Sequence, residues 1–299
     1  MAWVKRDRGF ALLLVLIALA TLSLIIAASV DAGRRFGDEA SSGIEDLRLR
    51  AAADAAFWTA ARDLAEAGTA PPAILSQKQS YELNGIRLKV SAKSEAGKID
   101  INAASPELIG SLLAQSGLQP ERAARLAAEI ADWRDGDSDT RRDGAEAAEY
   151  IAAGRSYQPT NRGFESVSEL ALVLDGGQDL ADCLARDVTV FTRRAEVDPD
   201  AASPLVLRAA KIVPSAIRPA GFSIVGGRTV DVGALMDISV SAEDGSTGRS
   251  LSQETTVRIT GSDADPIWIL SRASPGLDDA DMRAACKRLA EPRQSHARS

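Results

Sequence analysis

From Phe10 to Val30 the chain carries no charge, no proline and no glycine. At about 1.5 Å of rise per residue, a helix over this stretch crosses a hydrocarbon core of roughly 30 Å. Lys5, Arg6 and Arg8 precede it, against the single acid Asp7, and a long polar chain comes after it. Positive charge stays on the cytoplasmic side, so Met1 is expected in the cytoplasm and everything after Val30 across the membrane. Two plain readings fit. One is a secretory signal peptide, with Ala27 and Ser29 supplying the small-residue spacing of a cleavage site. The other is a signal anchor that is never cut.

The junction offers a third. A charged leader ends in Gly9, and an aromatic, Phe10, begins the apolar run. This resembles the leader of type IV pilins and pseudopilins, which prepilin peptidase cuts after the glycine on the cytoplasmic face, leaving the apolar segment on the mature protein. The resemblance implies cleavage between Gly9 and Phe10 and N-methylation of Phe10. Glycine before the scissile bond suits a peptidase needing close backbone approach. The residues after the span favour this reading. Phe36, Ala40, Ile44, Leu47, Ala51, Ala55 and Trp58 recur at steps of three and four, the pattern of an amphipathic helix lying on a folded domain. Gly68 and Pro71-Pro72 are expected to end it. A removed signal peptide would not need that continuity, although Gly33, Gly37 and Gly43 could bend it. The expected organisation therefore starts with a leader (1–9), a transmembrane part (10–30) and an amphipathic part (31–67) of one long helix.

The remainder of the 299 residues suffices for one large or two small domains, and 45% apolar content permits a real core. A net charge of -7 disfavours a sequence-independent grip on nucleic acid, which depends on Lys and Arg neutralising phosphates. Cys183 and Cys286 are the two cysteines and could pair in an oxidising compartment. The one histidine, His296, sits in a polar tail, so Ser-His or Cys-His catalysis and His-ligated zinc have almost no raw material. No catalytic set can be picked out, and no enzymatic activity is expected.

Residues 68–101 read as the first strands of a folded domain. Tyr81 and Leu83 alternate with polar neighbours, Asn84-Gly85 makes a hairpin turn, and Ile86, Leu88 and Val90 alternate again. Glu95-Ala96-Gly97 turns the chain, and Ile99 and Ile101 start a third strand. Residues 102–220 read as helical. Ser105 caps a helix with Pro106 at its first position, and Pro120 opens the next, carrying Leu126, Ile130 and Trp133. Ser166 and Glu169 have capping-box spacing ahead of Leu170, and Val188 to Phe191 read as a strand. An internal echo relates Ile99-Asp100-Ile101-Asn102-Ala103-Ala104-Ser105-Pro106 to Val197-Asp198-Pro199-Asp200-Ala201-Ala202-Ser203-Pro204, suggesting two related modules. Strands return over 221–272, at Thr229–Val232, Met236–Val240, Thr255–Ile259 and Ile267–Leu270. Residues 273–299 read as a final helix, roughly Asp279 to Leu289, and a tail. The order implies an α+β fold: a long N-terminal helix, an antiparallel sheet packed on it, and a helical domain inserted between strands.

With these segments in hand the chain resembles the minor pseudopilin K family of the type II secretion system. The residues carrying the resemblance are Arg8 to Leu14, Gly85 to Val90, Gly97-Lys98-Ile99-Asp100-Ile101-Asn102-Ala103, Asp132-Trp133-Arg134-Asp135, Gly144-Ala145-Glu146, Phe164-Glu165-Ser166-Val167-Ser168-Glu169-Leu170 and Pro266-Ile267-Trp268-Ile269-Leu270. The family's fold is a pseudopilin with a large helical insertion. The resemblance implies a place at the tip of a periplasmic pseudopilus beside the I and J minor pseudopilins, processing by prepilin peptidase, and an inner-membrane anchor with a single pass. This sequence departs from the commonest pattern in its second helical module.

Two local signals bear on ligands. Asp135, Asp137 and Asp139 alternate as in the first positions of a calcium loop, but the turn glycine after Asp139 is missing and no distal glutamate is expected to join them, so a solvated loop is the plainer reading. The family resemblance implies calcium in the helical domain of some members. Separately, Ile101-Asn102-Ala103-Ala104-Ser105 resembles the approach to helix-hairpin-helix modules of DNA-binding competence proteins. Those modules set a glycine-rich hairpin against phosphates, whereas this region is acidic and offers Gly117 alone. A membrane-anchored periplasmic DNA-binding protein is thus the rival reading, with no nucleic-acid partner expected on the first.

One position is informative by what it lacks. Most pilin-like proteins carry a glutamate as the fifth residue after the cut, where this chain has Leu14. A carboxylate inside a bilayer costs at least ~2.5 kcal/mol at the centre, so it persists only with a partner. In the family that partner is the terminal amine of the subunit already in the fibre. A subunit with the amine but no glutamate can be joined from below and has nothing to join above, which is what the topmost subunit requires.

Overall fold

In the computed structural model the described residues are 7–67, 72–213, 230–273 and 279–291, with backbone alone for 7–11, 30–41, 76 and 279. Gly68, Pro71, Phe222, Thr229, Gly276 and His296 lie outside the described residues. Two compact units are present, Met1–Ala52 and Ala53–Ser299.

The first unit is rod-like helix. Helix α1 (Asp7–Ala65) runs through it without interruption at Gly33, Gly37 or Gly43. Its segment Leu12–Ser29 is long and apolar enough to cross a membrane and has all its side chains exposed. The polar groups inside this segment are satisfied locally, as lipid demands. The hydroxyls of Thr21, Ser23 and Ser29 donate to the carbonyl oxygens of Ala18, Leu19 and Ile25 at 2.9, 2.8 and 2.8 Å.

The second unit contains the rest of α1, then α2 (Ala73–Ser76), β1 (Gln79–Leu83) and β2 (Ile86–Ser94). After a long excursion come β5 (Leu235–Asp244), β6 (Ser250–Ile259) and β7 (Ile267–Ala273). These strands form one antiparallel sheet in the order β1-β2-β5-β6-β7. The β1–β2 hairpin turns on Asn84 and Gly85, with φ of 51° and 82°, the doubly left-handed turn that suits the twist of paired strands. Leu88, Val90, Ala92, Ile238, Val240, Ala242, Val257 and Ile259 form the buried face of the sheet. Ala53, Ala56, Phe57, Ala60, Ala61 and Leu64 form the buried face of α1. Phe57 lies under the Arg272 guanidinium, 5.0 Å from ring centroid to charge, and Arg272 also pairs with Asp54 at 3.1 Å. This corrects the expected amphipathic face. Ile44, Leu47 and Trp58 are 60%, 67% and 53% exposed, and Ala51 and Ala55 are exposed too. The helix has a second apolar stripe, mostly alanine, and the close approach that alanine allows makes that stripe the buried one.

The excursion leaves the sheet at Ser94 and returns beside it, since Ser94 is the register partner of Met236. A large insertion therefore costs the sheet no hydrogen bonds. It comprises β3 (Ile99–Asp100), α3 (Pro106–Gln115), α4 (Pro120–Arg134), α5 (Ala147–Ala152), α6 (Gln178–Leu184), β4 (Val188–Thr189) and α7 (Pro204–Ala209), with 3-10 turns at Glu95–Gly97 and Val167–Leu172. Two expectations change here. Ile99 does not extend the main sheet: β3 pairs in parallel with β4 as a separate two-stranded ribbon inside the insertion. Val230 to Val232 are not a strand. The insertion has its own core, with Ile99, Ile101, Leu112, Leu113, Leu126, Ile130 and Leu184 essentially inaccessible. Helix α8 (Asp279–Ala290), near the C-terminus, adds Ala285 and Leu289 to that core and is bonded to α6 by the Cys183–Cys286 disulfide.

The echoed segments adopt the same local structure. Asp100 Oδ1 accepts from Asn102 N–H at 2.8 Å, as Asp198 Oδ1 does from Asp200 N–H at 3.0 Å. Ser105 and Ser203 cap α3 and α7 by accepting from Leu108 and Val206 N–H, both at 3.2 Å. The two helices touch, with Ser111 Oγ donating to the Ala209 carbonyl at 2.8 Å.

Where insertion meets sheet, charge is buried. Lys98 Nζ lies 2.5 Å from Glu95 Oε1 and also bonds Asp237, whose Oδ1 accepts from Thr256 Oγ1 at 2.6 Å. Burial opposes both charges of the Lys98–Asp237 pair, but their mutual attraction wins, raising the Lys98 pKa and lowering that of Asp237. Glu95 is pushed up to about 8, by burial first and by Asp237 second, with Lys98 opposing.

Candidate functional site

The segments that carry the resemblance are scattered along the sequence, and within the insertion they meet at one corner. Asn102 Nδ2 donates to the Phe164 carbonyl at 2.9 Å, and Phe164 N–H donates back to Asn102 Oδ1 at 2.7 Å. Phe164 stacks on Trp133, centroids 6.0 Å apart and planes at 17°. Trp133 also meets Tyr150 at 6.0 Å and Tyr157 at 6.5 Å. Next to Trp133, Arg134 donates through Nη1 to the Ile101 carbonyl and through Nη2 to the Ala104 carbonyl at 2.5 Å. The end of α4 thus holds the start of α3 in place from two directions. The expected capping box is present: Ser166 N–H donates to Glu169 Oε1 at 3.0 Å, and Leu170 is fully buried behind it.

Acidic side chains gather on the outer side of this corner. Asp132 is fully buried and accepts from the backbone N–H of Arg141 at 3.2 Å and from its Nη1 at 2.8 Å. The same guanidinium bonds Asp135, and the two carboxylates hold Arg141 firmly protonated. A Cβ at Gly144 would overlap the Asp132 carboxylate, so this glycine is needed for space. Glu146 is 5% exposed, and its carboxyl is raised to about 7, by burial first and then by Asp132, Asp135, Asp137 and Glu149.

The three aspartates expected as a calcium loop do not converge. Asp137 and Asp139 are exposed, and Asp137 Oδ1 accepts from Asp139 N–H at 3.0 Å, a local turn. Among the described residues no group of three His, Cys, Asp or Glu side chains is set out to hold a metal ion. At this corner two buried carboxylate oxygens nevertheless have no hydrogen-bond partner, Asp135 Oδ1 and Glu146 Oε1. Oxygens of that kind are the donors a hard divalent cation takes. Glu146 occupies the twelfth place of a calcium loop that begins at Asp135, the place of the distal glutamate, so spacing does single it out, and the expectation that no such glutamate joins the aspartates is corrected.

In the anchor, Gly9 and Phe10 fall in the first turns of α1, where the backbone alone is described, and Leu14 is 52% exposed within the apolar segment. At the far edge of the sheet, β7 exposes Trp268 at 56% and Ile269 at 43%. A strand edge with unpaired backbone groups and an adjacent aromatic is a surface suited to another protein chain.

Three comparisons say what this chain is similar to. Residues 81–193 match the first domain of the family described as type II secretion system protein K. Over 252 residues the chain is 27% identical to the type II secretion system protein K of Klebsiella pneumoniae, covering 75% of this chain and 74% of that protein. Its fold matches a chain in the crystal structure of the GspK-GspI-GspJ complex from enterotoxigenic Escherichia coli. The TM-score is 0.59 at 15% identity, covering 79% of this chain and 99% of that one.

Proposed function

We infer that this chain, a relative of type II secretion system protein K, is a membrane-anchored minor pseudopilin that works in protein export. The observation that carries this is the coincidence of two independent features. An apolar helical segment, Leu12–Ser29, leads into a helix whose later part packs on an antiparallel sheet, and that sheet is interrupted at one rung by a helical domain matching the protein K family. The rival DNA-binding reading loses its support, because Ile101 to Ser105 is tied down by Arg134 and Phe164 as a structural helix start. The family gives no reason to expect catalysis, and the role read here is assembly.

The finer reading concerns placement and processing. The chain sits in the inner membrane with its leader in the cytoplasm and its bulk in the periplasm. Prepilin peptidase cuts between Gly9 and Phe10, and the new amine is methylated. The protein joins I- and J-type minor pseudopilins, in keeping with the GspK-GspI-GspJ complex that its fold resembles, and Leu14 makes it the first and topmost subunit. A bulky insertion agrees with that place, since nothing need stack over it. Calcium, if held by Asp135 and Glu146, would neutralise the acidic corner without taking part in any reaction.

Co-purification from host membranes tests the assembly role, with I- and J-type subunits expected in the eluate and their absence counting against it. Mass spectrometry of the mature chain tests processing: a methylated Phe10 start is expected, Gly9→Val should retain the leader, and a start near Val30 would defeat the reading. Labelled electron microscopy tests position, because label at regular intervals along the filament excludes a tip role. For calcium, a thermal shift on addition should vanish in an Asp135→Ala, Glu146→Ala double variant.

A further inference from the structure

The outward face of the sheet carries a positive concavity that neither assembly nor the anchor explains. Three strands contribute adjacent rungs to it. Lys89 is opposite Ser241, which is opposite Ser252, and Ser91 is opposite Ser239, which is opposite Glu254. All of these project away from the buried face that holds Leu88, Val90 and Val240, because side chains alternate along a strand. Lys78, just before β1, and Arg186, in the loop between α6 and β4, complete the wall, enclosing about 270 Å³. The four serines are half-buried, while the three cations are exposed.

Five of the groups facing this space are without a partner in the chain. Among the described residues, the hydroxyls of Ser91, Ser239 and Ser241 and the ammonium groups of Lys78 and Lys89 make no hydrogen bond or ion pair. Hydroxyls without a partner in the chain are free to donate to an acceptor that enters the space. Three cations stand against the one carboxylate of Glu254, on a chain whose net charge is -7. Burial and then Asp237 raise the proton affinity of Glu254, while Lys98, Arg186 and Lys93 oppose them. Cations from three separate segments over a floor of hydroxyl donors match the chemistry of a tetrahedral oxyanion, which takes charge-assisted bonds from Lys and Arg and ordinary ones from Ser.

We propose that this concavity binds a phosphate group, either free or as the phosphodiester of a lipid headgroup, gripped by Lys78, Lys89 and Arg186 over the hydroxyls of Ser239 and Ser241. The sheet face supplies the site and the insertion, through Arg186, closes one side of it, so the ligand would bridge the two parts of the second unit.

Titration calorimetry of the full chain in neutral detergent at low salt tests this. Two probes separate the sources: inorganic phosphate, and glycerophosphoglycerol, the water-soluble headgroup of phosphatidylglycerol. At least one should bind. Lys89→Ala and Arg186→Ala should each weaken it about tenfold, the loss of one charge-assisted contact. Ser241→Ala should weaken it less, and Glu254→Gln should tighten it. Circular dichroism confirms that each variant folds, and these surface changes leave both cores intact. Binding of neither probe overturns the proposal, as does binding unchanged in all the alanine variants. Binding of an oligoglutamate peptide alone would also overturn it, assigning the patch to an acidic protein segment.

Discussion

Asn102 and Phe164 lie 62 positions apart and are joined as if they were strand partners, the carboxamide of one satisfying both the N–H and the C=O of the other. The arrangement ties the first turn of the insertion to the loop before its 3-10 helix and sets Phe164 against Trp133. Asn102→Ala leaves a buried residue's backbone without either partner and should cost ~1–3 kcal/mol. Asn102→Asp removes the donor and should cost about as much, while near-ultraviolet dichroism should report disturbed packing of Trp133. A loss below measurement error in both variants would show that the pair is dispensable.

A side chain at Gly97 would run into the backbone of Ala201 and Ala202, which cannot move aside as a flexible side chain would. That contact locks the first echoed segment to the second, together with the bond from Asp198 N–H to the Ala96 carbonyl at 2.7 Å. Gly97→Ala should therefore destabilise by ~2 kcal/mol or more, at the upper end of overpacking costs. Gly110 in α3 is the control. Its Cβ would meet Ala127 Cβ at an ordinary 3.6 Å, so Gly110→Ala should be neutral or stabilise by up to about 1 kcal/mol through helix propensity. Urea midpoints of the two variants should move in opposite directions or at least differ sharply.

Glu129 is 3% exposed, and its Oε2 accepts from Asp175 N–H at 3.0 Å. Burial raises its pKa from 4.5 to about 7, with Asp175 contributing in both senses and Arg125 opposing. The folded state therefore binds a proton that the unfolded state has released, and stability falls as pH rises from about 4.5 to 7. Glu129→Gln keeps the acceptor and removes the titration. Its stability advantage over the parent should be small at pH 4.5 and grow towards pH 7.5, as read from denaturant midpoints at both pH values. An unchanged difference across that range would dismiss the assignment.

The Cys183–Cys286 bond closes a separation of 103 residues and fixes α8 to α6, where Arg288 also pairs with Asp179 at 2.8 Å. Restricting the unfolded chain over so long a loop is worth ~2–5 kcal/mol. Reduction, or Cys286→Ser, should lower stability by that order. It should also expose α8 to proteolysis, releasing a C-terminal fragment while the sheet persists. Equal protease resistance with and without reductant would show that α8 is held by packing alone.

The sequence by itself determined the elements whose causes are local. A charge-free run cannot stay in water, so the anchor is legible. Asn84-Gly85 dictates its own turn, Ser105-Pro106 its own cap, and Ser166 with Glu169 its own capping box, because each involves atoms a few bonds apart. Tertiary structure decided what depends on competition between distant groups. Helix α1 carries two apolar stripes, and the pattern through Ile44 and Trp58 has the larger side chains, yet the alanine stripe through Ala53 and Ala60 is buried because a helix rich in alanine approaches its neighbours more closely. Ile99 has the look of a sheet strand, but its partner is Val188, brought to it only when the insertion folds. The acidic corner shows the same division. Asp135 and Glu146 are both legible from spacing, as the first and twelfth places of a calcium loop, whereas packing decides that Asp132 is buried and that Asp139 is left in solvent. Spacing along a chain reports faces and turns. Which face is buried, and which carboxylates are removed from water, is set by the packing of segments that the spacing does not relate.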